Sequence, residues 1–192
     1  MIGSGAAEAT GPTLWTIGHS TRPLDETASM LQACGVRRLV DVRTVPRSRR
    51  NPQYDRATLP ASLAAHGIEY AAMPDLGGLR RPHKDSSNTA WRNEAFRGYA
   101  DHMATPIFEN ALGELLAAAA RIPTAVMCAE AVPWRCHRSL LADAASARGA
   151  RVLHIMGTAR SPKQSRHELT AWAVVRDGRV GYPGLPLDGA DR

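Results

Sequence analysis

Lysine is almost missing from this chain: of its 24 basic residues only Lys84 and Lys163 are lysine, and the rest are arginine. The net charge of +6 is therefore weak evidence for a polyanionic partner, because an arginine bias beside abundant alanine reflects genome composition as much as binding. Local clusters carry more weight. Cysteine is scarce too. Three in 192 residues make no disulfide framework, which favours a reducing, cytoplasmic setting. No stretch approaches the roughly 18 consecutive apolar residues needed to span a bilayer, so the pattern argues against a membrane protein. Residues 1–12 have neither the charged start nor the apolar run of a secretory signal and read as a flexible tail, as do residues 186–192. There is no internal repeat. The 44% hydrophobic content is enough for one buried core, expected over residues 13–185.

Periodicity predicts an α/β fold: a single domain with a mainly parallel sheet flanked by helices, and a C-terminal hairpin or extended pair. Strands are expected at 14–18, 39–42, 68–73, 124–128 and 152–155. Helices are expected from Leu24 to Cys34 (stopped by Gly35), within 55–66 with a late start at Pro60, from Leu112 to Ala120, and from near Cys136 to Gly149. Trp172 to Val175, Asp177-Gly178 and Val180 to Tyr182 read as the hairpin. In an open parallel sheet, the loops after the strands gather on one edge, where ligands bind. Those loops here carry His19, Asp41 and Arg43, Gly77 and Gly78, and the segment that follows the fourth strand.

That last segment, Val126 to Leu140, holds two thiols, a carboxylate, an imidazole and two guanidinium groups between an apolar strand and a helix. Cys128 and Glu130 lie two apart at a strand end and are expected on the same side. Cys136, His137 and Arg138 are expected in the first helical turn, whose free N–H groups favour anions and thiolates. The candidate catalytic residues are accordingly Cys128, Glu130, Cys136 and His137. His19, Arg43, Arg138, Arg47, Arg80 and Trp91 are the candidate substrate-binding residues. Cys34, on an apolar helical face, reads as a small core residue. Asp41 reads as a support for loop backbone or for Arg43, and an internal ion pair to Glu130 would account for one arginine of the cluster.

The segments Thr16 to Thr21, Leu39 to Ser48, Leu76 to Leu79, Phe96 to Ala100, Met127 to Glu130 with Cys136 to Ser139, and the ending at His154-Ile155, His167 to Thr170 and Tyr182-Pro183 together resemble the bacterial domain of unknown function 488 family, over about residues 14–183. The resemblance implies a single compact domain and points to the same residues. It implies no reaction.

Three chemistries suit these groups. In the first, a thiolate attacks an anionic substrate held by arginines, with Glu130 or His137 moving protons. A phosphatase-like loop is a weak analogy, because six residues separate Cys128 from Arg135 where that loop needs five. In the second, Cys128, Cys136, His137 and His19 ligate zinc or iron for a metal-dependent hydrolase; the ligand types suit zinc, but the spacing does not favour it, since adjacent Cys136 and His137 diverge on a helix. The third is a non-catalytic nucleic-acid-binding module using Arg47, Arg49, Arg50, Arg80, Arg81 and Trp91, the last stacking on a base. The long stretch from Pro74 to Arg97 reads as an irregular functional loop. The favoured expectation is an enzyme acting on a small anionic substrate, with nucleotides and modified nucleic acid among the candidates and no membrane partner.

Overall fold

The computed structural model describes residues 11–46 and 50–184. Six strands form one mixed sheet in the order β3-β2-β4-β1-β5-β6: β1 (Thr13–Gly18), β2 (Arg38–Asp41), β3 (Glu69–Ala72), β4 (Thr124–Cys128), β5 (Arg151–Thr158) and β6 (Ser161–Arg166). The first five run parallel, and β6 closes one edge antiparallel to β5. Five helices connect them: α1 (Leu24–Ala33), α2 (Leu59–Ala65), α3 (Glu94–Met103), α4 (Pro106–Ala119) and α5 (Arg138–Ala147). The hairpin β7 (Val174–Arg176) and β8 (Arg179–Gly181) turns at Asp177 and Gly178, both at positive φ (49° and 72°), as a two-residue turn of this hand requires. The fold is α/β in a single domain, as the periodicity predicts. Among the described residues, no helix is long and apolar enough to cross a membrane.

Alternation along the strands splits the core into two layers. Ala125 and Met127 of β4 pack with Ile17, Leu39 and the apolar faces of α1 and α2. Val126 and Cys128 point the other way, with Val40, toward α3, α4 and α5. β4 lies between β2 and β1 and is buried at every position, which is why its sequence is a continuous apolar run. Consequently the Cys128 side chain enters the interior beneath α5.

Several elements differ from expectation. Gly11 and Pro12 are not tail: Gly11 N–H donates to the Gly149 carbonyl, and Arg151 N–H donates to that of Pro12. Residues 1–10 and 185–192 lie outside the described residues. The stretch from Pro74 to Arg97 opens on a 3-10 turn, Pro74–Leu76, and is irregular from there only as far as Asn93, whose side-chain oxygen caps α3 through Ala95 N and Phe96 N. Gly98 in mid-helix and the buried polar Asp101 and His102 blur the apolar period of α3, which hides it from a pattern search. α4 begins six residues before Leu112, where Thr105 caps Phe108 N and Pro106 takes the first position. β6 was not expected at all, because Ser161–Arg166 is mostly exposed and has no apolar alternation.

Candidate functional site

β1 and β4 end side by side, with Gly18 opposite Cys128, and their pairing continues past the strands through His19 N–H to Cys128 O (3.0 Å) and Ser20 N–H to Ala129 O (2.9 Å). A side chain at Gly18 would overlap the Glu130 carbonyl and come within 2.7 Å of Arg138 Nη1, so only glycine lets these groups reach the strand end. Cys128 and Cys136 are 2% and 4% exposed. The Cys136 thiol donates to Cys128 Sγ across 2.9 Å, and Arg138 Nη1 donates to the same sulfur at 3.3 Å. As a thiol, Cys128 would instead donate to the Glu130 carbonyl at 3.6 Å.

These donors divide the pair. The Cys128 thiol is held below its ordinary range, first by the hydrogen bond from Cys136 and then, against the opposing effect of burial, by the Arg138 charge. Cys136 is pushed far up, by that same hydrogen bond, by burial and by the charge of its neighbour. The pair therefore holds one proton on Cys136 before Cys128. Arg138 itself is 1% exposed; its Nη2 donates to Ala131 O at 3.3 Å and its Nε has no partner among the described residues. It pairs with no carboxylate among the described residues, and the sulfur of Cys128 is the side-chain acceptor its guanidinium meets.

Cys136 stands just before α5 rather than in its first turn. The short 3-10 turn Pro133–Arg135 delivers it in an extended conformation, His137 occupies the cap position, and α5 starts at Arg138, whose N–H lies 3.4 Å from Cys136 Sγ. His137 packs its ring against Gly78, where a side chain would overlap it, and 5.0 Å from the ring of Tyr99. Burial, with the charges of Arg138 and Arg80, lowers its pKa to about 4, so it is neutral at physiological pH. Its Nδ1 is 3.5 Å from Cys136 Sγ, and its buried Nε2 has no partner among the described residues.

A second buried arginine lies two residues past the end of β2. Asp41 grips Arg43 through Nε (2.8 Å) and Nη2 (2.7 Å) and also accepts the Arg43 backbone N–H and the Tyr70 hydroxyl. Asp41 thus does hold Arg43. Arg43 Nη2 also donates to Tyr54 O, and Nη1 to His19 Nε2 at 3.3 Å, so four of its five N–H groups are engaged. His19 donates from Nδ1 to Ser20 O, stacks on Tyr54 at 4.0 Å, and is lowered to about 4, chiefly by burial. Its Nε2 lone pair is taken by Arg43, which makes His19 a positioning group for that guanidinium. Both residues line a recess of about 260 Å³ with Ser20, Thr21, Arg50 and Ala129, polar and cationic, directly beside the thiol loop.

Most of this geometry falls within one family match. The model for the domain of unknown function DUF488 matches residues 23–145, which include Arg43, Gly78, Cys128, Cys136, His137 and Arg138. The chain belongs to that family. No curated protein and no solved structure matches it. The DUF488 match stops short of β5, so the C-terminal elements stand outside it.

Other candidates of this DUF488 chain lie elsewhere. Glu130 is exposed, because β4 ends at Cys128 and the chain turns outward; it contributes its carbonyl, not its carboxylate, to Cys128, and it forms no ion pair among the described residues. Arg135 is exposed, and the arginine at the sulfur is Arg138. Arg80 turns back on its own loop, donating to the carbonyls of Gly77, Pro74 and Asp75. Trp91 is stacked on Phe96 at 4.8 Å, inside an aromatic cluster with Trp172 and Tyr182. Arg47 and Arg49 lie outside the described residues. Among the described residues, no three His, Cys, Asp or Glu gather as a metal would need.

One buried network escaped the sequence reading. Asp143, fully buried in α5, accepts from His167 Nε2 (2.8 Å), Thr170 N (2.9 Å), Thr170 Oγ1 (2.7 Å) and the Tyr182 hydroxyl (2.7 Å). His167 Nδ1 then meets His154 Nε2 at 3.0 Å, and His154 Nδ1 meets Thr16 Oγ1 at 2.7 Å. All four ring nitrogens are spent, so the chain ties the C-terminal elements to the sheet and leaves no base free. An acid on the apolar face of an alanine-rich helix was the available signal.

Proposed function

We propose that the protein is an enzyme in which the Cys128 thiolate attacks a phosphate-bearing or other anionic substrate. The single observation that carries this is the buried Arg138 guanidinium, which donates to a sulfur and pairs with no carboxylate among the described residues. A buried charge is costly unless compensated, and compensation by a thiolate keeps a nucleophile ionised at neutral pH. The recess lined by Arg43, Arg50, Ser20 and Thr21 supports an anionic substrate, because guanidinium and hydroxyl groups are what a phosphate takes as donors. Cys136 keeps its proton and is the acid at the site. For a phosphate ester, the S–P bond forms as the ester P–O bond breaks and the leaving oxygen takes that proton; water then cleaves the S–P bond, its hydroxyl going to phosphorus and its proton to Cys136, which restores the Cys128 thiolate and the Cys136 thiol. Cys128 is buried, so substrate entry requires the exposed loop residues Ala129, Glu130 and Ala131 that follow it to move. Three free cysteines are consistent with a reducing, cytoplasmic setting.

The test combines turnover of p-nitrophenyl phosphate and its diester with protection of Cys128 from iodoacetamide by orthovanadate. Turnover is expected to vanish in Cys128→Ser and to persist in Cys34→Ser, with vanadate slowing alkylation of Cys128. Undiminished turnover in Cys128→Ser, or neither turnover nor vanadate protection in the native protein, overturns the proposal.

A further inference from the structure

On the other flank of the thiol loop lies a larger recess, of about 540 Å³, whose lining includes Trp91, Trp134, Ser139, Arg166, Glu168 and Trp172. That volume suits one nucleoside-sized ligand. Two of the three indoles are open to solvent, Trp134 at 64% and Trp172 at 45% exposure. Trp172 is nevertheless held. Trp172 meets Trp91 edge-on at 5.2 Å, Trp91 is stacked on Phe96, and Trp134 is carried by the 3-10 turn Pro133–Arg135. Trp134 has no ring partner among the described residues, so neither of its faces is stacked.

The polar groups around these rings are unspent. Neither the Arg166 guanidinium nor the Glu168 carboxylate has an ion pair among the described residues, and Trp91 Nε1 is buried with no acceptor there. His154 and His167 also border the recess, but their nitrogens are committed to the Asp143 chain, and burial lowers His154 to about 3. That wall is fixed by its hydrogen bonds, so it shapes the recess without offering a free ring nitrogen. Preorganised rings lose little entropy on binding.

Flat apolar faces call for a planar ring, Glu168 for ring or exocyclic N–H donors, and Arg166 for an anion attached to that ring. We infer that this recess binds the base of a nucleotide, stacked against Trp134 and Trp172 with its phosphate at Arg166. Stacking on aromatic side chains tolerates any base, so discrimination among bases falls to Glu168. The inference does not rest on thiol chemistry: Cys128→Ser should bind as the native protein does.

The test titrates the four nucleoside 5′-monophosphates, ribose 5-phosphate and a short single-stranded oligo-dA into the full-length protein, by calorimetry and tryptophan fluorescence. At least one monophosphate should bind, and ribose 5-phosphate, which lacks a base, should not. Trp134→Ala and Trp172→Ala are each expected to weaken binding about 5- to 150-fold, the range for losing one stacked base. Both tryptophans are exposed, and an unchanged melting temperature will confirm that their loss leaves the fold intact. Arg166→Ala should weaken binding of the monophosphate and leave binding of the corresponding nucleoside, titrated alongside, unaffected. Much tighter, salt-sensitive binding of the strand identifies nucleic acid as the source of the base; equal affinity identifies the free nucleotide. Binding that survives both tryptophan replacements, or the absence of binding by every base-bearing probe, overturns the inference.

Discussion

Replacing Arg138 by methionine isolates the effect on which the proposed chemistry depends. Methionine approximates the length and apolar stem of arginine but carries neither its charge nor its hydrogen bond to Cys128 Sγ. A hydrogen bond to a charged group contributes about 1.5–3 kcal/mol. At about 1.4 kcal/mol per pKa unit, its loss should raise the Cys128 pKa by roughly one to two units. Burial opposes ionisation throughout and is then offset chiefly by the Cys136 thiol, so the upper half of that range is expected. The assay is the ultraviolet absorbance of thiolate followed between about pH 5 and pH 10 in a Cys34→Ser background, with Cys128→Ser subtracted. Arg138→Lys, which keeps the charge but not the planar fork, should fall between native and Arg138→Met. An Arg138→Met midpoint within about 0.3 unit of native would refute the assignment, since a shift that small is worth less than about 0.5 kcal/mol. So would a low-pH thiolate signal that survives in Cys128→Ser, because the ionised sulfur would then belong to Cys136.

Four further outcomes follow from the same geometry. Phenylarsine oxide should bridge the two sulfurs that lie 2.9 Å apart, releasing one water per arsenic, and mass spectrometry should find no bridged adduct in Cys128→Ser or Cys136→Ser. Gly18→Ala forces a side chain into the Glu130 carbonyl and should cost about 3 kcal/mol or more, whereas Gly113→Ala, which meets nothing within 4 Å on α4, should gain about 1 kcal/mol and raise the melting temperature by about 2–4 °C. Asp143→Ala strands four donors and should lower the melting temperature by at least about 6 °C; a shift under about 2 °C would show that the network is dispensable. His19 and His137 are lowered to about 4 and His154 to about 3, so the folded state prefers them neutral while the unfolded chain protonates near pH 6.5. Their stability is full above about pH 6.5 and lost as pH falls toward 4, with a combined slope of at most about 4 kcal/mol per unit, and a urea midpoint that stays flat across that window would contradict their burial.

The sheet was legible because its strands are apolar where they are buried: Thr124–Cys128 reads as an apolar strand from its sequence alone, and the structure puts it between β2 and β1. The elements that escaped notice lack that signature for identifiable reasons. Ser161–Arg166 pairs through its backbone at the sheet edge and needs no apolar side chains to do so. Glu94–Met103 carries Asp101 and His102 inward, where Asp101 accepts from His83 N, Ser86 and Asn88 and His102 reaches the Asp75 carbonyl. Those two residues organise the preceding loop, so the face that looked broken was satisfied by contacts no periodicity records. The same limit applies to Glu130. Two-residue alternation holds only while a strand continues, and β4 ends two residues too early for it to bind Glu130 to the side of Cys128.

Two glycines explain how the site residues from separate loops meet. Gly18 at the end of β1 leaves room for the Arg138 guanidinium and the Glu130 carbonyl, and Gly78 after β3 leaves room for the His137 ring. In each case the side chain that occupies the space comes from the single segment Cys136-His137-Arg138, so that one turn is clamped between the end of β1 and the loop after β3. A cavity-forming residue is silent to any search for chemistry, yet these positions determine where the chemistry lies. The contrast with Arg43 sharpens the point. Both arginines are buried at adjacent strand ends, but Arg43 is given a carboxylate two residues away on its own chain, with which it forms a closed pair. Arg138 is given a glycine-cleared space and a sulfur. Had stability been the only demand, a carboxylate at position 128 would have served that guanidinium better than a thiol, since it is ionised at physiological pH without help. A thiol that needs its partner in order to ionise is also one whose reactivity its partner controls, and that dependence is what the Arg138→Met titration measures.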